Sequence, residues 1–291
     1  MCVLGQREYT TDRATFQRIT LRMAAKMSGK LPVLMYHAVV NDLGQCDGAD
    51  PHYAVLRHQF SLHLKALHSA GLRASSIAGV RAGAAAANAV AMTFDDGHAS
   101  NRDAAEALAA HSFTADFLVN PSTVGKPNHL SWADLRAMSD AGMSIQSHGY
   151  HHRYLDELEP SEVVAELVDS KREIEDRIGR AVTVFGPPGG RTSVGLAEAA
   201  AGAGYGALCT SRVGLWCLRE GTWRIPRLAV LNSTSQSRFV RWIKQDLIAM
   251  AAQQTRYQAL SATKQLLGNE RYEQLRRRLL GAVGTQKETH D

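Results

Sequence analysis

The sequence predicts an α/β fold in which strands and helices alternate through one barrel-sized region, with a helical extension after it. Three observations carry this. Short apolar runs at 31–36, 113–119, 143–147, 181–186, 205–209 and 224–230 are separated by amphipathic or turn-rich stretches, as a (β/α) architecture requires. The 291 residues, 45% of them hydrophobic, suffice for one domain of that size and a sizeable core. After Asn232 the texture changes to apolar residues at helical spacing.

The elements follow in order. Residues 1–30 form an N-terminal extension carrying Arg7, Arg13, Arg18, Arg22, Lys26 and Lys30 among Glu8 and Asp12. No uninterrupted apolar segment follows these charges, so no secretory signal is expected. No stretch reaches the roughly 18 to 20 apolar residues that span a bilayer, and the expected location is cytoplasmic. Residues 31–232 are the barrel region. Leu31 to Tyr36 is its first strand, followed by a loop through Asp50 whose Gly44, Asp47, Gly48 and Pro51 suit a groove rim. Phe60, Leu64 and Leu67 place a helix over 57–70, and Ala82 to Ala89 reads as a tolerant connector. Helices over 101–110 and 131–140 come next, and Pro160-Ser161-Glu162 opens the clearest helix, ended near Ile178 by Gly179.

Residues 233–291 form the C-terminal helical extension. Phe239, Val240, Ile243, Leu247 and Ile248 share one helical face, and a second segment runs from Tyr257 to Leu280. Such faces either dock on a membrane surface, with Arg276-Arg277-Arg278 toward anionic headgroups, or pack on the barrel. Packing is the favoured reading, because most helical amphipathicity is core packing. The net charge of +5 is mild, the basic residues are scattered and aromatic residues do not interleave them, so no nucleic-acid partner is expected. The four cysteines, at 2, 46, 209 and 217, show no paired framework and are expected as thiols. Oligomeric state is not legible.

Chemistry concentrates in Thr93-Phe94-Asp95-Asp96-Gly97, where an apolar strand ends in adjacent carboxylates and a glycine. Adjacent acids repel, so a cation is expected to offset them. One carboxylate then binds the metal while the other stays free to take a proton from water. The alternative is an ordinary Asp-Asp-Gly turn. Some fifty residues on, His148 and His152 are spaced i, i+4, which on a helical turn brings both imidazoles to one ion. Asp96, His148 and His152 would form a two-histidine, one-carboxylate site for a divalent metal, zinc first, with cobalt, nickel or manganese as alternatives.

Thr93 to Gly97, His148-x-x-x-His152 and Phe185-Gly186-Pro187-Pro188-Gly189-Gly190 resemble the first three motifs of the NodB-type polysaccharide deacetylases, carbohydrate esterase family 4. Leu31-Pro32-Val33-Leu34-Met35-Tyr36-His37 is similar to the opening strand of the branch that includes poly-N-acetylglucosamine deacetylases. The resemblance covers about residues 31–230. It implies a distorted (β/α) barrel with the metal at the C-terminal ends of its strands. It also implies removal of an acetyl group from an N-acetylated glycan or glycolipid, with Asp95 as base. Pro188 and Gly189 would stand at the substrate and oxyanion position, where a backbone N–H near Gly189 can be approached closely. Asp95 is then expected to serve chemistry and not folding.

The chain departs from that pattern in two places. The family commonly has Arg and Tyr where Gly186 and Gly189 stand, so the partner of Asp95 falls to Arg191, Arg224 or Arg227. The late Leu-x-His motif is also missing, since no histidine follows His152 until His290. His37, at the end of the first strand, is the natural substitute as general acid, and the resembling branch uses its early histidine so; the alternative is a buried histidine satisfied by a backbone carbonyl. The function expected is metal-dependent N-deacetylation of an N-acetylhexosamine in a polysaccharide, oligosaccharide or lipid-linked sugar. O-deacetylation on the same fold and a sugar-binding scaffold are the alternatives.

Overall fold

The structure is a computed structural model, which describes residues 29–44, 46–83, 88–218, 223–246 and 248–255. The N-terminal extension before Gly29 and the 257–280 segment, with Arg276 to Arg278, lie outside the described residues.

Ten strands form one nearly closed sheet. β1 (Lys30–Tyr36) pairs in parallel with β5 (Ala89–Phe94), and the order continues through β6 (Asp116–Val119), β7 (Ser144–Ser147), β8 (Val184–Phe185), β9 (Ala207–Cys209) and β11 (Arg224–Ile225). Closure comes from the segment expected as one strand over 224–230. Pro226 breaks it, because proline offers no N–H to a ladder. Its first part, β11, pairs with β9, and its second part, β12 (Leu228–Ala229), pairs with β1 at Leu34 and Met35. Arg227 therefore sits at the joint. β4 (Arg73–Ser75) lies beside the first half of β5, and β10 (Leu215–Cys217) runs antiparallel to the start of β1. A small parallel pair, β2 (Val39–Val40) with β3 (Val55–Leu56), stands apart in the loop after β1.

The helices match the expected ones closely: α1 (Arg57–Ser69), α3 (Asn101–Ala110), α4 (Trp132–Asp140) and α5 (Pro160–Ile178). Ser131 and Asp134 close a reciprocal cap on α4, and Gly179 ends α5 in the left-handed conformation at φ 72. Two short helices, α2 (Ile77–Arg81) and α6 (Leu196–Gly202), were not legible in the sequence, being five and seven residues of mostly small side chains. β2, β3, β4 and β10 also went unread, since two or three residues carry no period.

Two cores follow from the strand alternation. Val90, Met92 and Phe94 of β5 face outward, packing with Tyr36, Phe60 and Phe117 beneath the helices. Ala89 and Ala91 face the barrel interior with Val33, Val184, Cys209 and Ile225. Ile77 and Val80 of α2 join this inner cluster, and Arg81 lies against Gly206 just before β9. α2 thus fills the N-terminal end of the barrel. Ala89, Ala91 and Ala207 line the interior beside this cluster, and polar side chains occupy its C-terminal end.

The C-terminal extension begins as α7 (Gln236–Ile243), whose Phe239, Trp242 and Ile243 are buried. Phe239 stacks on His63 of α1 at 3.9 Å, and His63 Nδ1 is 3.0 Å from the Tyr36 hydroxyl. For this helix the apolar face is spent on packing. Residues 248–255 are helical again. No helix among the described residues is long and apolar enough to cross a membrane. Cys46 and Cys209 carry no disulfide, as expected.

Asp116 is the costly residue of the interior. It pairs in register with Thr93, and its side chain points inward with that of Thr93. The Ile77 N–H donates to its Oδ2 at 2.5 Å, but Oδ1 has no hydrogen-bond partner among the described residues. Burial pushes its carboxyl up to about 7, from 3.8 in an exposed chain, despite the bonds from Ile77 and Ser144. The folded protein then holds a proton that the unfolded chain has already lost. This contribution to stability is present in full below pH 3.8 and is lost as pH rises through 7. Between pH 5 and pH 8 the loss is about 3 kcal/mol. Urea unfolding of wild type and Asp116→Asn at both pH values checks it: the wild type should lose that much more than the variant, and parallel losses would contradict it.

Candidate active site

The C-terminal ends of the parallel strands bring the acidic pair and the histidines together. Asp95 continues the inward face of β5, and its N–H donates to the Tyr36 carbonyl at 2.9 Å, which aligns the ends of β1 and β5. Asp96 then takes φ 74 and Gly97 φ 64, so the chain turns sharply instead of extending. A non-glycine residue in that region is strained, and such strain concentrates at functional sites. The turn lets two adjacent carboxylates serve one site. A side chain at Gly97 would press on Val119, 3.1 Å from its Cγ1.

Asp96 Oδ1 lies 3.2 Å from His148 Nε2 and 3.1 Å from His152 Nε2. One ligand atom from each of the three lies within 4.8 Å of the others. Two imidazole nitrogens and a carboxylate oxygen are a donor set for a borderline divalent cation, and the arrangement fits one. Between its two histidines the Asp96 carboxyl sits well below the usual range: burial would raise it, but the hydrogen bonds from His148 and His152 outweigh that.

The i, i+4 spacing does not work as the sequence suggested. His148 and His152 are not on a helical turn; they span an irregular loop after β7, with Gly149 at φ 81 and His152 at φ 58. The reason lies in the amide partners. The N–H groups of Tyr150 and His151 donate to the Glu166 carboxylate at 2.6 and 2.9 Å, so they are not available to carbonyls one turn back. The two rings reach one point through a loop held from below.

Arg227 is the partner of Asp95. Its Nη1 donates to Asp95 Oδ1 at 2.7 Å and to Thr93 Oγ1 at 3.2 Å, and its Nε donates to the Thr210 carbonyl at 3.4 Å. The two side chains are 0% and 3% exposed. Burial would raise the Asp95 carboxyl, yet the guanidinium and the nearby His148 and His37 hold it below its usual value. Asp95 is therefore an ionised buried carboxylate with one charged partner. That pairing argues against the expectation that Asp95 is dispensable for folding, since removing one half of a buried pair strands the other. The other two candidates go elsewhere. Arg191 pairs with Asp156 and Glu157 and lies over the Tyr154 ring, 3.5 Å from its centre, and Arg224 is exposed at the sheet edge.

The glycines that depart from the family pattern have a steric account. A Cβ at Gly186 would come within 2.4 Å of Leu118 Cδ2, so that interior space is filled from β6 and the guanidinium arrives from the barrel joint instead. At Gly189, with φ 65, a Cβ would meet the Tyr154 ring at 2.8 Å. Pro188 and Gly189 form the turn after β8, and Pro188 lies 3.7 Å from the Cβ position of Gly149, against the histidine loop.

His37 follows β1 on the same rim. Its ring lies 4.5 Å from that of Tyr53, and its carbonyl accepts from Asn101 Nδ2 at 2.6 Å. Its Nδ1 has no hydrogen-bond partner among the described residues, so the carbonyl-satisfied alternative fails for that atom. Burial lowers its pKa, partly offset by the Asp96 and Asp95 carboxylates, with His148 and Arg227 lowering it further. Glu166, Asn120, Tyr53 and Tyr154 were missed in the sequence. Only Glu166 left a trace there, as an acid within the Val163, Leu167, Ile174 stripe of α5.

Comparison with known proteins places this geometry. Residues 82–208 match the polysaccharide deacetylase family model, a span that holds Asp95, Asp96, His148, His152, Pro188 and Gly189 but neither His37 nor Arg227. The chain is 27% identical over 221 residues to YxkH of Bacillus subtilis (strain 168), a provisionally named polysaccharide deacetylase, covering 74% of this chain and 76% of that protein. The Streptococcus pyogenes deacetylase PplD, solved with acetate, superposes with a TM-score of 0.66 at 24% identity, covering 74% of this chain and 98% of PplD. IcaB from Ammonifex degensii gives 0.63 at 22% identity, covering 74% of this chain and 97% of IcaB. At these identities the structural likeness speaks to the fold: the distorted (β/α) barrel.

Proposed function

The chain carries a polysaccharide deacetylase domain of the NodB type, carbohydrate esterase family 4, and from that premise we propose a metal-dependent N-deacetylase of an N-acetylhexosamine, in a polysaccharide, oligosaccharide or lipid-linked sugar. The observation that carries the reading is the convergence of Asp96, His148 and His152 beside a buried, Arg-paired Asp95. A divalent cation held by those three residues, zinc first, would supply Lewis acidity at the acetyl carbonyl and activate water at neutral pH.

The protein's own residues account for the proton traffic. Asp95 takes a proton from the attacking water as its oxygen bonds to the acetyl carbon. Arg227, itself fixed by hydrogen bonds to Thr93 and the Thr210 carbonyl, keeps Asp95 ionised and in place through one more. His37 gives a proton to the sugar nitrogen as the carbon–nitrogen bond breaks, leaving acetate and an amine. Burial lowers the His37 pKa, so its imidazolium is a stronger acid than an exposed one and, once protonated, gives its proton to that far more basic nitrogen. The Pro188–Gly189 turn borders the site where the carbonyl oxygen gathers charge.

The experiment compares two substrates. A mass-shift assay on acetylated oligosaccharides should show acetyl loss by the metal-loaded protein. His37→Ala should cripple that amide hydrolysis by about 10²-fold or more while largely sparing an activated aryl acetate, because a phenol leaves without a proton and an amine does not. Wild-type activity on O-acetyl esters with none on amides would select the esterase reading. Unchanged amide turnover by His37→Ala would return that residue to structure.

A further inference from the structure

We infer that Glu166, together with Asn120, is a positioning residue for the metal site, holding the His148–His152 loop from beneath in its ligating shape. The inference rests on the metal reading proposed above.

A ligating histidine is usually aimed by a hydrogen bond from its second ring nitrogen. His148 has none: its Nδ1 is buried without a hydrogen-bond partner among the described residues. Its aim therefore falls to the backbone, and the backbone of this loop is gripped from both polar sides. Asn120, buried after β6, donates through Nδ2 to the carbonyls of His148 at 2.5 Å and Gly149 at 3.1 Å. Glu166, on the inward stripe of α5 and 3% exposed, accepts the N–H groups of Tyr150 and His151 on one oxygen. Its other oxygen lies 2.7 Å from His151 Nδ1, which must donate, since a carboxylate only accepts. Three consecutive peptide units, from the His148 carbonyl to the His151 N–H, are thus fixed by two side chains.

That grip explains the backbone of the loop. Gly149 at φ 81 passes directly over the carboxylate, where a Cβ would stand 3.3 Å from Oε2. With the 150 and 151 amides turned down toward Glu166, the chain reaches His152 at φ 58, which brings His152 Nε2 to Asp96 beside His148. A charge on a helix stripe that is otherwise apolar is expensive to bury. Among the described residues the hydrogen bonds of this carboxylate go only to the loop between two candidate ligands.

The test is cobalt(II) binding to the metal-free full-length chain, read by the d–d absorption band and by competition with a chelator. Glu166→Ala and Glu166→Asp, the latter keeping the charge but one methylene short of the loop, should bind at least about tenfold more weakly with an altered band. Glu166→Gln retains an oxygen for both amides and a donor for the His151 ring, and should bind within about threefold of wild type. Should Glu166→Ala fail to fold, the Asp and Gln pair decides. A Glu166→Asp protein with wild-type affinity and band, or a Gln variant as weak as Asp, overturns the positioning role alone. Wild type that takes up no cobalt, or His148→Ala and His152→Ala that take it up normally, overturns the metal reading and this inference with it.

Discussion

Asp95→Asn is expected to lower turnover of an acetylated amino sugar by about 10² to 10⁴-fold, the range in which a positioned general base contributes. The substitution keeps the shape and the oxygen that accepts from Arg227, but removes the lone pair basic enough to take a proton from water. It should also destabilise the fold by about 3 kcal/mol, because the Arg227 guanidinium, 0% exposed, loses its carboxylate. Steady-state kinetics and urea unfolding on the same preparation check both, with metal content measured alongside, since Asp96 is the next residue. Turnover within about threefold of wild type would remove Asp95 from the base role. A stability loss without a rate loss would make it a structural half of an ion pair.

The parts of this site that were legible in the sequence are those where chemistry and a local period coincide. Asp95 and Asp96 end an apolar run whose alternation survives in the structure, with Ala89 and Ala91 inward and Val90, Met92 and Phe94 outward. His148 and His152 were legible as a pair, but for a helical reason that the structure does not use; a loop bent at Gly149 reaches the same convergence. Long-range partners were not legible. Arg227 lies 132 residues from Asp95 and was one of three arginines with equal claims. What decides among them is barrel closure, with Pro226 splitting the last strand so that the next side chain points inward. Glu166 looked like one more acid on a charged helix, because its partners are backbone amides, which have no sequence signature. The short α2 that fills the barrel end hides for another reason: five residues do not show a helical period.

The Asp95–Arg227 pair should behave as a unit in a double-mutant cycle. Arg227→Met fills similar volume but strands Asp95, now with burial pushing its carboxyl up and no guanidinium to hold it down. That variant should lose about 3 to 5 kcal/mol of stability and, with a carboxyl that prefers its proton, most of its activity at neutral pH. The double variant Asp95→Asn/Arg227→Met carries neither stranded charge. Its loss of stability should fall short of the sum of the single losses by about 1 to 3 kcal/mol, the range for residues in contact. Activity should not recover in the double variant, because the base is still missing. This separates the two roles of Asp95: stability returns when the charges are removed together, and chemistry does not. Strict additivity in urea would show that Thr93, Thr210 and the other interior groups hold Arg227 without Asp95. Asp95 would then be held below its usual value without depending on the ion pair for its stability.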